Sequence, residues 1–184
     1  MDKKELFRTR NEMWETKRRE MNQIRKREPW QKQIEAFFEI HEDMLPTDEY
    51  FTRIAPSDEE IMELERELSI SIPDDYRWFL KTFGVGGIYF EIYGYLDGMF
   101  TCIEPTLRAR NELKERAAYG EEFEFDPEKI LIVSYTEVYD LGIDTETGKV
   151  VVIAGDYTYF DSNCFCEYLL SEMECTIEEV YGGF

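Results

Sequence analysis

The chain has 184 residues, of which 43% are hydrophobic and 15% aromatic; this content excludes a disordered chain and fits one domain, with or without an appended segment. No segment approaches the roughly 18 apolar residues that span a bilayer, and the N-terminus lacks the apolar stretch of a signal peptide, so we expect a cytoplasmic protein. The formal net charge of −20 disfavours binding to nucleic acid and to anionic membranes and favours binding to a basic partner. The alternative, which the composition supports equally, is that the acidic surface only keeps the protein in solution.

Two helices are predicted in the first fifty residues. Residues 3–28 contain no Gly or Pro and repeat apolar residues at helical intervals, and residues 30–41 place several aromatic and aliphatic residues on one face. Residues 1–33 carry eleven Lys or Arg against six Asp or Glu, so a basic segment precedes an acidic body. The thin apolar stripe of the first helix predicts packing against its own domain, with binding to another chain or to nucleic acid as the alternatives.

Residues 57–84 predict two further helices joined by a short connection. Ser57 and Glu60 form the pattern of a capping box, and the helix that they open should end near Ser69-Ile70. Pro73 suits the first turn of the next helix, and Gly84 can close it. The alternation of apolar and polar residues over 88–95 then predicts a half-buried strand.

The second half of the chain predicts a helix, three strands and a final helix. Thr106 is the predicted cap of a helix that ends near Ala118, and residues 119–129 are predicted as an acidic loop. Strands are expected over 130–135, 138–143 and 149–154, with a hairpin connection at 144–148, and Asp161 or Ser162 should cap the last helix. This order predicts an α+β fold, an antiparallel or mixed β-sheet with helices packed on it, over residues 51–184, plus an N-terminal helical extension over residues 1–50.

The stretch from Ile70 to Gly87 resembles a motif of the SUKH superfamily, whose members include fungal cell-wall regulator domains and many bacterial immunity proteins. A capped acidic helix is followed by Ser71-Ile72-Pro73-Asp74-Asp75-Tyr76-Arg77-Trp78-Phe79-Leu80 and then by the turn Gly86-Gly87. The later segment Thr106-Leu107-Arg108-Ala109-Arg110 also fits, and the resemblance covers about residues 55–173. The helical extension over residues 1–50 is longer than expected for the family core and departs from it. For bacterial members, the resemblance implies protection from a polymorphic toxin, often a nuclease.

A set of tyrosines and carboxylates is the predicted partner-binding surface. Three tyrosines lie on or beside the first predicted strand, and two more share a parity in the turn before the last helix. Exposed tyrosines are rigid anchors, and neighbouring carboxylates would complement a basic partner. The predicted partner-binding residues are Tyr89, Glu91, Tyr93, Tyr95, Asp97, Asp156, Tyr157, Tyr159 and Asp161. The alternative is that the rings cover the outer face of the sheet beneath the N-terminal helices.

No catalytic site, metal site or cofactor is predicted. The sequence contains no phosphate-binding loop of the Walker type and no nucleophile elbow. The four cysteines lack the spacing of a metal site and are expected as free thiols, and the single histidine, His41, is expected at the surface. Asp140 and Asp144 are expected to be solvated residues at a turn rather than a catalytic pair.

We therefore predict a protein that is not an enzyme: an immunity protein that binds and neutralises a cognate bacterial polymorphic toxin, for which a nuclease is one candidate. Nuclease sites bind phosphates and are positively charged, so an acidic protein would cover such a site and associate with it rapidly. The alternative is an intracellular scaffold or regulatory domain, closer to the fungal relatives, that binds several partners more weakly.

Overall fold

The computed structural model describes residues 3–41, 54–86, 94, 101–135 and 138–181. Within these residues the chain forms six α-helices, one short 3-10 helix and four antiparallel β-strands, which confirms the α+β prediction with its N-terminal helical region. The chain divides into two compact units. One consists of Met1–Glu49 with Leu169–Phe184, and the other of Tyr50–Tyr168.

The first unit begins with two helices, α1 (Lys3–Arg25) and α2 (Trp30–Ile40). α1 ends three residues before the predicted end at 28, because the N–H groups of the two residues before Pro29 both turn back to the carbonyl of Ile24. Both helices contribute buried apolar side chains to this unit: Trp14, Met21, Ile34, Phe37 and Phe38. The first helix is therefore held in this unit by apolar packing through Trp14 and Met21.

His41 is buried, so the prediction of a surface histidine is wrong. Its ring centroid lies 4.3 Å from that of Phe37 and 6.3 Å from that of Trp14. Nδ1 lies 2.8 Å from the Phe37 carbonyl, and because a carbonyl can only accept a hydrogen bond, Nδ1 carries the proton. The ring thus folds back over the last turn of α2, and the polar residues that follow it in sequence gave no sign of this burial.

The second unit opens with α3 (Asp58–Leu68) and α4 (Asp74–Phe83), which follow the predicted pattern. Ser57 Oγ accepts the N–H of Glu60 at 3.1 Å, and Glu60 Oε2 accepts the N–H of Ser57 at 2.7 Å, so the capping box is present. Gly84 ends α4 with a φ of 76°, a left-handed conformation that glycine adopts without strain. Apart from Gly94, the residues of the strand predicted over 88–95 lie outside the described part of the chain.

Four strands form a sheet in the order in which they occur in the chain, with every pair antiparallel. They are β1 (Ile130–Tyr135), β2 (Asp140–Asp144), β3 (Val150–Ala154) and β4 (Tyr157–Ser162). The first three match the predicted strands within two residues at either end. β4 was expected to be a turn followed by a helix cap at Asp161 or Ser162. Both residues instead belong to the strand, and the final helix, α6, runs from Phe165 to Tyr181.

One buried face of α5 (Ile103–Ala118) packs along β1. Ala109 and Leu113 join apolar side chains of β1 and β3 in one hydrophobic cluster. Thr106 does not cap the helix as predicted, because α5 begins three residues earlier. Thr106 is buried instead, and its Oγ1 accepts the N–H of Ile132 at 2.9 Å. This hydroxyl therefore fixes the first turns of α5 to the middle of β1.

Arg110 is a buried cation that joins three elements, one turn after Thr106. Its Nε donates to the carbonyl of Ile130 at 2.9 Å, and its Nη1 donates to the carbonyl of Leu68 at 2.9 Å. These carbonyls belong to the first residue of β1 and the last residue of α3. Burial lowers the pKa of the guanidinium, and the carboxylates of Glu128 and Asp126 oppose that shift. The side chain therefore satisfies backbone groups that would otherwise be buried without donors.

Replacing Arg110 with Met should lower the free energy of unfolding by about 2 to 4 kcal/mol, because Met fills the space of the stem but leaves two buried carbonyls without donors. Urea unfolding followed by circular dichroism measures this loss. Lys114→Met is the matched control, since Lys114 is a half-exposed cation on the same helix, and it should cost less than about 1 kcal/mol. Equal losses in the two variants would contradict a role for Arg110 in joining α3, α5 and β1.

Candidate partner-binding surface

β4 presents one row of exposed side chains and one row of half-buried ones. Tyr157 keeps 75% of its surface exposed and Tyr159 keeps 53%. Thr158 and Phe160 alternate with them and are half-buried, and the Phe160 ring lies 5.9 Å from that of Phe125, next to the hydrophobic cluster under α5. The alternation explains why the strand exists: its inner row packs on the core, while its outer row contributes aromatic rings to the surface.

The four predicted site residues at this strand lie close together in the chain and are all exposed. Asp156 precedes the strand, the two tyrosines lie within it, and Asp161 lies near its end. The pairing with β3 shifts between Val150 and Val151, which leaves Asp161 as the extra residue of a β-bulge. The five other predicted residues, Tyr89, Glu91, Tyr93, Tyr95 and Asp97, lie outside the described residues.

Strand register brings together four residues that no sequence motif linked. Tyr135 pairs with Asp140, Asp140 with Ile153, and Ile153 with Thr158, so the four form a row across all four strands. Ile153 belongs to the hydrophobic cluster under α5, and side chains that pair directly across an antiparallel sheet share one face. The whole row therefore faces α5, where Arg108, Glu112 and Arg116 recur every fourth residue along the helix.

Arg108 joins α5 to one end of this row. Its Nη2 lies 3.0 and 3.2 Å from the two carboxylate oxygens of Asp140, and its guanidinium lies 5.6 Å from the centre of the Tyr135 ring. Burial raises the pKa of Asp140, and the charge and hydrogen bonds of Arg108 oppose that shift without cancelling it. Arg108 therefore keeps a half-buried carboxylate in place at the start of β2.

Arg116 joins α5 to the other end of the row. It donates from Nη1 to the carbonyl of Gly155 and from Nη2 to Thr158 Oγ1, both at 2.9 Å, and from Nε to Glu121 at 2.7 Å. The hydrogen bond to Glu121 raises the pKa of Arg116. The guanidinium therefore holds the turn between β3 and β4, and with it the backbone that leads into Asp156 and the exposed tyrosines.

An open groove of about 260 Å³ lies between α5 and the sheet, beside the row that Arg108 and Arg116 hold. Charged, aromatic and aliphatic side chains line it together with one glycine: Arg108, Glu112, Val138, Tyr139, Asp140, Ile153 and Gly155. The groove reaches the turn that precedes Asp156, so it adjoins the exposed tyrosine strand in the chain. Such a mixture of aromatic and polar groups is typical of protein-binding surfaces.

Asp140 and Asp144 are not brought together, since they lie at opposite ends of β2. Asp144 is buried rather than solvated, and its carboxylate accepts the N–H of Glu146 at 3.2 Å and the hydroxyl of Thr147 at 2.5 Å. It therefore stabilises the hairpin connection between β2 and β3. Asp140 instead pairs with Arg108, so neither carboxylate is placed to assist the other in acid–base chemistry.

The described residues contain few groups suited to redox, metal or nucleophilic chemistry. All four cysteines are free, and burial raises the pKa of Cys102 to about 12, so its thiol stays protonated at neutral pH. Across residues 3–41, 54–86, 94, 101–135 and 138–181, no three His, Cys, Asp or Glu side chains converge to hold a metal ion. Among the described helices, none combines the length and apolar character that crossing a bilayer requires.

These features define an α+β domain that presents an exposed aromatic strand and an adjoining polar groove. A family model described as the SMI1 / KNR4 family (SUKH-1) matches residues 55–171, and the chain belongs to this family. The resemblance to the SUKH superfamily is thereby confirmed. The matched range contains α3, α4, α5 and all four strands, whereas α1 and α2 precede it. Comparison with curated proteins gives no match.

Replacing Arg108 with Met should lower the free energy of unfolding more at about pH 7 than at about pH 3. The pKa of Asp140 is raised in the folded state, so its charged form is disfavoured above that pKa and the penalty is absent once Asp140 is protonated. Loss of Arg108 raises this pKa further and enlarges the penalty at neutral pH. Urea unfolding at the two pH values measures the difference, with Arg66→Met on α3 as the control; a loss that does not depend on pH would contradict the pairing.

Proposed function

We propose that this chain is an immunity protein that binds and neutralises a cognate bacterial polymorphic toxin. The observation that carries the proposal is β4, where Tyr157 and Tyr159 stay exposed between the exposed carboxylates of Asp156 and Asp161. Membership of the SUKH-1 family supports the same function, because the resemblance to bacterial members implies toxin binding. The protein acts by binding rather than by catalysis, and we place it in the cytoplasm.

Tyrosines in this setting supply binding energy at a small entropic cost. Each ring has only two side-chain torsions to restrict, and its strand is already fixed by the inner row of β4 and by Arg116. A fixed backbone means that little ordering is needed when the partner arrives. The two rings are therefore the anchors of the proposed interface, and burying them accounts for most of the affinity.

The negative charge of the protein speeds its association with a basic partner and favours such a partner over an acidic one. The chain carries a net charge of −20, and Asp156 and Asp161 add local negative charge on either side of the rings. A toxin that binds nucleic acid has a positive active site, so long-range attraction brings the two proteins together and orients them. The predicted residues Tyr89, Glu91, Tyr93, Tyr95 and Asp97 remain part of the proposed surface on the basis of the sequence, as does the division into an extension over 1–50 and a domain over 51–184.

The double variant Tyr157→Ala/Tyr159→Ala should weaken binding of the cognate toxin domain, which is to be sought among the products of the neighbouring genes, by at least about a hundredfold. Surface plasmon resonance measures the affinity, and growth of cells that express the toxin measures protection. Tyr119→Ala is the matched control, because Tyr119 is 94% exposed at the end of α5, and it should bind as the unchanged protein does. If the unchanged protein fails to bind that toxin and instead binds several cellular proteins weakly, the chain is a scaffold or regulatory domain.

The double variant Asp156→Asn/Asp161→Asn should slow association with the same toxin by roughly fivefold to tenfold at low salt and have little effect on dissociation. Raising the ionic strength should remove the difference, since exposed charges are screened over about 10 Å at 0.1 M salt. The double variant Glu59→Gln/Glu67→Gln, which removes two exposed carboxylates from α3, controls for the loss of net charge alone. Binding that is tight but independent of salt would leave a specific partner and rule out capture by the acidic surface.

A further inference from the structure

A cavity of about 130 Å³ lies within the helical unit made of Met1–Glu49 and Leu169–Phe184. Its lining includes three buried apolar side chains, Trp14, Met21 and Phe37, and the buried imidazole of His41. An apolar cavity of about 150 Å³ holds a molecule of benzene, so this one has room for a branched alkyl group or a single ring. The wall formed by Trp14, Met21 and Phe37 therefore suits a small apolar group, whereas the rest of the lining is polar.

Charged side chains of both signs line the same cavity. Arg18 and Arg25 come from α1, and Glu174 and Glu178 come from adjacent turns of α6. Arg25 forms an ion pair with Glu174, and burial lowers the pKa of its guanidinium. Arg18 and Glu178 are exposed and form no ion pair with any residue that the structure describes. One cation and one anion at the cavity are thus left to meet a ligand.

We propose that this cavity binds a small zwitterion with an apolar side chain, the chemistry of a free apolar amino acid. The ligand carboxylate pairs with the Arg18 guanidinium, which can donate two parallel hydrogen bonds to it. The ligand ammonium pairs with the Glu178 carboxylate. The apolar side chain of the ligand enters the space beside Trp14 and Phe37, where its removal from water favours binding.

The balance of charge at the cavity favours a zwitterion over a simple acid or amine. The two arginines and the two glutamates sum to zero, and the Arg25–Glu174 pair is already satisfied. A carboxylic acid alone would gain from Arg18 but meet the unpaired charge of Glu178, and an amine alone would meet Arg18. Only a ligand with both charges satisfies both side chains, because a like charge at close range is unfavourable.

The site goes beyond toxin binding and belongs to the part of the chain outside the family match. Every residue that lines the cavity lies either before residue 55 or after residue 171, the limits of the matched range. α1 and α2 precede the matched range, and α6, which begins inside it, contributes to the cavity only residues beyond its end. Ligand binding there can be tested without any toxin, so its result does not depend on the proposed immunity function.

Isothermal titration of the full chain with L-leucine and L-phenylalanine tests the proposal. We expect saturable one-to-one binding of at least one of them, at least about tenfold tighter than binding of 3-phenylpropionate or phenethylamine, which each carry one of the two charges. Failure of both amino acids to bind at about 10 mM would overturn the proposal. Equal affinity for the amino acid and for either singly charged analogue would overturn the assignment of a zwitterion.

Variants identify the cavity as the binding site. Arg18→Met and Glu178→Gln should each weaken binding at least about tenfold, because each removes one charged partner of the ligand. Arg19→Met and Glu20→Gln are matched controls on the exposed surface of α1 and should bind as the unchanged protein does. Circular dichroism confirms that each variant is folded. Undiminished binding by both Arg18→Met and Glu178→Gln would place the amino acid elsewhere and overturn the proposal.

Discussion

Two side chains one helical turn apart, Thr106 and Arg110, determine how α5 meets the sheet. Thr106 accepts a backbone N–H from β1, and Arg110 donates to backbone carbonyls of β1 and of α3. Such buried bonds act together, because each satisfies a group that water cannot reach. With this face of α5 fixed, Arg108 and Arg116 reach opposite ends of one row across the sheet. The positions of the groups at the candidate surface therefore depend on the buried hydrogen bonds that fix α5 to β1 and to α3.

Much of the fold could be predicted because its signals are local. The capping box at Ser57, the helix that follows Pro73 and the hairpin between β2 and β3 each depend on residues within a few positions of one another. The errors share the opposite property. His41 is buried by aromatic residues of the helical unit, and Thr106 accepts a hydrogen bond from a strand residue 26 positions later in the chain. The residues next to His41 and Thr106 in the sequence therefore do not indicate either role.

The candidate surface was predictable only in part, for a related reason. The common parity of Tyr157 and Tyr159 was visible in the sequence, but β4 itself was not predicted. The short segment between Gly155 and the last helix was interpreted as a turn, although its Tyr, Thr and Phe residues favour a strand. The groove depends on the pairing of Asp140 with Tyr135 and on a shift of register between Ile132 and Ser134 in β1. A shift of one residue turns every later side chain to the other face, and no rule of composition foretells it.

β4 divides its residues between two tasks that scarcely interfere. Thr158 and Phe160 attach the strand to Arg116 and to the core. Tyr157 and Tyr159 are exposed and do not contribute to that attachment, so other residues could replace them. Mutations at the outward positions therefore leave the stability of the domain nearly unchanged, as surface substitutions usually do. The outward residues of this strand can therefore change one by one during evolution to suit a different protein partner, while the scaffold that carries them stays the same.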